Sequence, residues 1–67
     1  MFRKNEFMAA LALRETTVGD VAKSIGIDPT TLYRKINGKS DFMRKDIIAL
    51  RDVLKLNDES TLRIFFS

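Results

Sequence analysis

The chain has 67 residues, of which 45% are hydrophobic and 31% charged, with three glycines and one proline. A chain this short buries only about 60% of the surface its unfolded form exposes, so residues 1–67 make one domain, and short helices are the most economical way to build it. Neither cysteine nor histidine occurs, which removes disulfides, thiolate metal sites, the commonest metal ligand and the usual general base. The net charge of +3 is unevenly distributed. Between residues 34 and 45 the cations Arg34, Lys35, Lys39, Arg44 and Lys45 face Asp41 alone, so this segment carries +4 and the rest of the chain sums to −1. A localised basic patch is the electrostatic footprint of a polyanion binder. On charge alone, a solvated basic face reads the same way.

The first periodic segment is Phe7, Ala10 and Leu11, spaced i, i+3, i+4 in a run of good helix formers that reaches Arg14. Met8 and Leu13 fall off this stripe and read as rim residues. The apolar run from Phe7 to Leu13 is too short to span a bilayer, and no small-residue cleavage site follows it. A cytoplasmic, nucleoid-associated address is the expectation, with no membrane partner.

Thr17 followed by Asp20 has capping-box spacing, which starts a second helix at Thr17. Its buried stripe is Val18, Val21, Ala22 and Ile25, and Gly26 ends it by turning left-handed. Only Ile27 and Asp28 then precede Pro29. Asp caps free backbone N–H groups, and proline has its φ preset for a first helical position, so a third helix runs from about Pro29 to Asn37. Leu32 and Ile36 face inward, while Thr30, Thr31, Tyr33, Arg34 and Lys35 lie off that stripe. Asn37-Gly38 closes the helix, both residues tolerating positive φ.

Phe42 follows in a connection and plugs the core. A fourth helix starts near Arg44 with Ile47, Leu50, Val53 and Leu54 as its apolar stripe. Asn57 caps a last short helix through Phe65. Its Leu62, Ile64, Phe65 and Phe66 carry more apolar surface than one face of so small a domain hides, which points to a second subunit. The expected fold class is therefore all-α: a compact bundle of five short helices with a central helix-turn-helix. In that unit small Ala22 permits close approach at the crossing, and Gly26 makes the sharp turn.

Residues 18–37, with Ala22, Gly26, Ile27, Leu32 and Asn37-Gly38, resemble the signature of the Cro/phage-repressor (XRE-like) helix-turn-helix family. The likeness extends to Phe7 and Leu11 before the signature and to Phe42 through Phe66 after it. The resemblance implies a lambda-repressor-like domain that lays its third helix in the major groove of double-stranded DNA while the start of its second rests on the backbone. It assigns base reading to Pro29, Thr30, Tyr33 and Arg34. Arg34 is the first choice, because a guanidinium donates two hydrogen bonds to O6 and N7 of guanine. Thr30 is second, and Tyr33 either stacks or hydrogen-bonds in that role or covers the rim of the core.

Phosphate contacts are expected from Thr17, Val18, Asn37, Lys39, Arg44 and Lys45. Arg44 and Lys45 oppose the dipole in a first helical turn, at about 0.3 to 1 kcal/mol each, and a docked phosphate would offset that. Two positions depart from the family pattern. Val18 stands where glutamine often anchors a phosphate, and Pro29 where a polar side chain is common, which shifts weight to backbone N–H groups and DNA shape. Lys35 reads as merely solvated.

Two copies on neighbouring half-sites are expected, because one such domain reads few base pairs, and the homodimer forms on the DNA if not before. A protein-binding module on the same fold, an antirepressor or antitoxin-like partner gripping with Ile64, Phe65 and Phe66, is the alternative. The carboxylates form no acid–base pair and read as helix caps or surface partners, such as Asp52 with Lys55 and Asp41 with Lys39. No catalytic residue, cofactor, metal or small-molecule effector is expected.

Overall fold

The computed structural model describes all residues, 1–67, as five helices without strands: α1 Lys4–Leu13, α2 Val18–Ile25, α3 Pro29–Ile36, α4 Arg44–Leu54 and α5 Asp58–Phe66. Its radius of gyration, 10.6 Å, matches the value of about 11 Å that a folded chain of this length adopts. No helix is long and apolar enough to cross a membrane.

Three starts follow the capping chemistry of the sequence. The Thr17 hydroxyl accepts from the Asp20 N–H (3.1 Å), the Asp28 carboxylate from the Thr30 N–H (2.8 Å), and the Asn57 side chain from the Ser60 N–H (2.7 Å). The return half of the expected capping box, from Asp20 to Thr17, is not made. Four helices end in one way, with a residue at positive φ and a backbone N–H reaching back five residues. Ile27 donates to Ala22 and Lys39 to Arg34 around Gly26 (φ +77°) and Gly38 (φ +79°), and Thr16 donates to Leu11 and Leu56 to Arg51 around Glu15 and Lys55, both at φ +54°. Asn37 is not left-handed, at φ −88°; Gly38 alone makes the turn after α3.

The core joins Phe7 and Leu11 of α1, Val18, Val21 and Ala22 of α2, Leu32 and Ile36 of α3, Leu50 and Leu54 of α4, and Ile64 and Phe65 of α5. Ala22 is fully buried, where its small side chain lets α2 pack closely on α3 and α4. Phe2, Phe7, Phe42 and Phe65 form an aromatic cluster with ring centroids 4.6 to 6.5 Å apart. Phe42 plugs the core as expected; the contribution of Phe2 was not legible from periodicity.

Several expectations are corrected. Val53 is exposed and Ile25 and Ile47 only half-buried, so the inward face of α4 is Asp46, Leu50 and Leu54. On α5, Leu62 and Phe66 are exposed while Ile64 and Phe65 are core. Asp52 pairs with Arg51 (3.3 Å) rather than Lys55, whose left-handed backbone takes it off the helical row. Asp41 does not pair with Lys39; its backbone carbonyl accepts from Lys35.

Candidate nucleic-acid interface

α2 and α3 are joined by the Gly26–Asp28 turn, and α3 lies across the molecule with Leu32 and Ile36 in the core. The helical period then sends Pro29, Thr30, Tyr33 and Arg34 outward, and all four are exposed. Tyr33 is 51% exposed and its hydroxyl has no partner within the chain, so it is not a capping rim residue of the core. Asp28 occupies the N-terminus of α3 with its carboxylate. An anion is therefore unwelcome at that helix start.

The chain's cations divide into two groups. Arg3, Arg51 and Arg63 are in ion pairs with carboxylates, Lys4 donates to the Asn37 side chain (2.9 Å), and Arg14 donates to the Leu54 carbonyl (3.0 Å). Lys35 is the most deeply placed, its side chain 11% exposed and 3.1 Å from the Asp46 carboxylate. Arg34, Lys39, Arg44 and Lys45 make no ion pair and no side-chain hydrogen bond and are exposed; apart from these only Lys23 and Lys55 are unengaged.

The Lys35–Asp46 pair positions this free charge. Asp46 accepts from the Met43 N–H (2.8 Å) as well as from Lys35, whose ammonium also donates to the Asp41 carbonyl (2.9 Å). One buried carboxylate thus caps α4 and clamps its first turn, which carries Arg44 and Lys45, to the last turn of α3, which carries Arg34. Burial alone would raise the Asp46 carboxyl, but the Met43 N–H and Lys35, helped by the charge of Lys45, outweigh it and hold it below its ordinary value of 3.8. No buried side-chain N or O atom lacks a partner. Lys35 is therefore a structural residue and not a solvated one. Asp46 also supplies, from within the chain, the anion that offsets Arg44 and Lys45 against the α4 dipole.

Of the expected phosphate-contacting residues, Lys39, Arg44 and Lys45 stand free. Thr17 is exposed, and its hydroxyl proton remains available because the oxygen is the cap. Asn37 accepts from Lys4 and keeps its amide N–H groups. The Val18 side chain is 3% exposed and points into the core, so the valine offers only its backbone N–H at the α2 start. No group of three carboxylates is arranged to hold a metal ion. No protein-family model matches the chain, and no curated protein or solved structure matches it significantly.

Proposed function

We propose that the protein is a sequence-specific double-stranded DNA-binding regulator of the Cro/phage-repressor type, with α3 entering the major groove. The observation that carries the reading is the partition of charge: the cations held in Arg34–Lys45 are unpaired, except Lys35, which spends its charge on fixing the others. Four exposed cations without internal partners cost nothing to desolvate from existing pairs when a polyphosphate arrives, and they release its counterions. Arg34 reads guanine, Thr30 contributes a hydroxyl and a methyl, and Tyr33 offers an aromatic edge and a free hydroxyl beside them. Lys39, Arg44 and Lys45 hold the phosphate backbone from the end of α3, while Thr17 and the first N–H groups of α2 hold it from the other side. Two copies on half-sites about one helical turn apart supply the remaining specificity.

The test is selection from a randomised duplex pool over a salt series, with Arg34→Ala in parallel. The expected result is an enriched motif, steep loss of affinity with salt, and a variant that loses about 1 to 3 kcal/mol together with selectivity at one position. Absence of any enriched motif, with weak binding indifferent to Arg34, would refute the reading.

A further inference from the structure

Lys4, the first residue of α1, is carried by the fold to the end of α3. Its ammonium donates to the Asn37 side-chain oxygen at 2.9 Å, across 33 positions of sequence. Both residues are exposed, and with Lys35, Gly38, Ser40 and Asp41 they line one open depression of about 700 Å³. Glu6, the carboxylate nearest to Lys4 in sequence, is engaged by Arg3 and Arg63, and Lys4 itself forms no ion pair. It thus keeps its full charge and has N–H groups to spare beyond the one given to Asn37. The same bond settles which way the Asn37 amide faces. Its oxygen is turned to the ammonium, so its N–H groups, which have no partner within the chain, lie on the opposite edge.

We propose that Lys4 is a further phosphate-contacting residue, and that it orients the Asn37 amide so that the two side chains together grip one backbone phosphate of the duplex. The inference rests on the proposed DNA-binding function and adds to it a residue that lies outside both the helix-turn-helix and the basic run. Placement supports it. Asn37 follows Arg34 by three positions and closes α3 with nearly helical backbone, φ −88° and ψ 6°, so the two are neighbours on one face of that helix. A cation held against Asn37 is therefore held beside the face that carries Arg34. The chemistry selects the ligand. The spare N–H groups of the ammonium and of the amide meet no acceptor within the chain, and between them they carry one positive charge. The non-bridging oxygens of a phosphodiester supply the acceptors and one negative charge. The Ser40 hydroxyl, which makes no hydrogen bond within the chain, adds a donor from the same depression. Asp41 is the one carboxylate on that lining and opposes a phosphate, while Lys35 is already neutralised by Asp46. Lys4 is thus the one side-chain cation there with charge to offer, and it is what makes the depression attractive to an anion.

The test is a salt titration of the full chain on one duplex carrying the selected motif. Lys4→Met, of similar length, is expected to lower the slope of log affinity against log salt by about 0.9, the share of one phosphate, which is roughly eightfold in affinity at about 0.1 M salt. Lys4→Arg keeps the charge and the donors, and retains the wild-type slope. Lys55→Gln removes the same charge beyond the far end of α4 and leaves the slope unchanged, which separates a phosphate contact from a mere change of net charge. Asn37→Ala weakens the wild type but adds little to Lys4→Met, because the amide it removes is no longer oriented. Thermal melts followed by circular dichroism check that each variant is folded. A Lys4→Met chain with the wild-type slope, beside Arg34→Ala and Lys45→Ala chains that lose affinity, would overturn this inference and leave the proposed function standing. Losses from Lys4→Met and Asn37→Ala that simply multiply would overturn the orienting role. If no cation variant alters affinity or slope, the DNA-binding reading falls and this inference falls with it.

Discussion

The Lys35–Asp46 pair offers the sharpest perturbation of this fold. Asp46→Ala strands the Lys35 ammonium, whose side chain is only 11% exposed, and leaves the Met43 N–H at the start of α4 without its acceptor. Breaking a buried pair from one side costs about 3 to 5 kcal/mol. Because Lys35 keeps its bond to the Asp41 carbonyl and lies close enough to the surface to swing outward, the lower end applies. A loss of about 3 kcal/mol is large in a domain whose whole stability is about 3 to 10 kcal/mol by size, and it lowers the melting temperature by roughly 12 to 24 °C. Replacing both partners by apolar residues of similar length, Lys35→Met with Asp46→Leu, removes the stranded charge and returns the protein to within about 1 kcal/mol of wild type. Urea and thermal unfolding followed by circular dichroism measure the wild type and both variants. Asp46→Ala within 0.5 kcal/mol of wild type, by the roughly ±0.5 kcal/mol spread of ordinary surface changes, would refute the clamp, as would a double variant no better than the single.

The same pair sets a pH dependence. The Asp46 carboxyl is held below 3.8 in the folded chain, so its contribution is complete above the ordinary carboxylate value, where both states are ionised. It disappears as pH falls through the folded value, because only protonation of the folded carboxyl then costs energy. The Lys35→Met, Asp46→Leu chain lacks that component, and its stability therefore falls less steeply than wild type on acidification below about pH 4.

Three further outcomes are expected. Lys45→Ala weakens binding to every duplex by a similar factor and lowers the slope of log affinity against log salt by about one, with the preferred motif unchanged; a changed motif would contradict a phosphate role. Lys55→Gly raises stability by about 0.5 to 1 kcal/mol in a thermal melt, since it removes the left-handed strain of a side-chain residue and adds only the backbone entropy of glycine; a lowered melting temperature would count against that balance. Thr17→Ala costs about 1 kcal/mol, and Thr17→Ser restores most of it, because the hydroxyl oxygen caps the Asp20 N–H; an alanine variant as stable as wild type would refute the cap.

Much of this architecture could be read from local chemistry. Thr17, Asp28 and Asn57 announce helix starts through oxygens that reach N–H groups within three residues, and Gly26 and Gly38 announce stops because glycine is unstrained at positive φ. The stops at Glu15 and Lys55 use the same closure without glycine, so composition gave no sign of them. There the chain bears strain that the tertiary contacts of α1 and α4 outweigh. Val53 misled for a related reason: its spacing from Leu50 fits an apolar stripe, but the face that turns inward is fixed by Asp46, a residue whose type argues for the surface.

That substitution of a carboxylate for an apolar side chain explains why the candidate site was only half legible. Exposed side chains such as Thr30, Tyr33 and Arg34 follow from the periodicity of α3, which needs nothing beyond Leu32 and Ile36 to orient it. The partner that orients Arg44 and Lys45 is separated from them by a long-range contact, and a lysine eleven positions before an aspartate has no spacing rule to betray it. Placed in the sequence, Lys35 is one more cation of a basic run. In three dimensions it is the one cation of that run withdrawn from solvent, and its neutralisation by Asp46 lowers the charge of the segment while fixing where the remaining charge lies. The free charge of this segment is thus lower in total than the sequence suggests. Under the proposed function, the loss of one free charge lowers bulk affinity for duplex DNA and leaves sequence discrimination to the exposed side chains of α3.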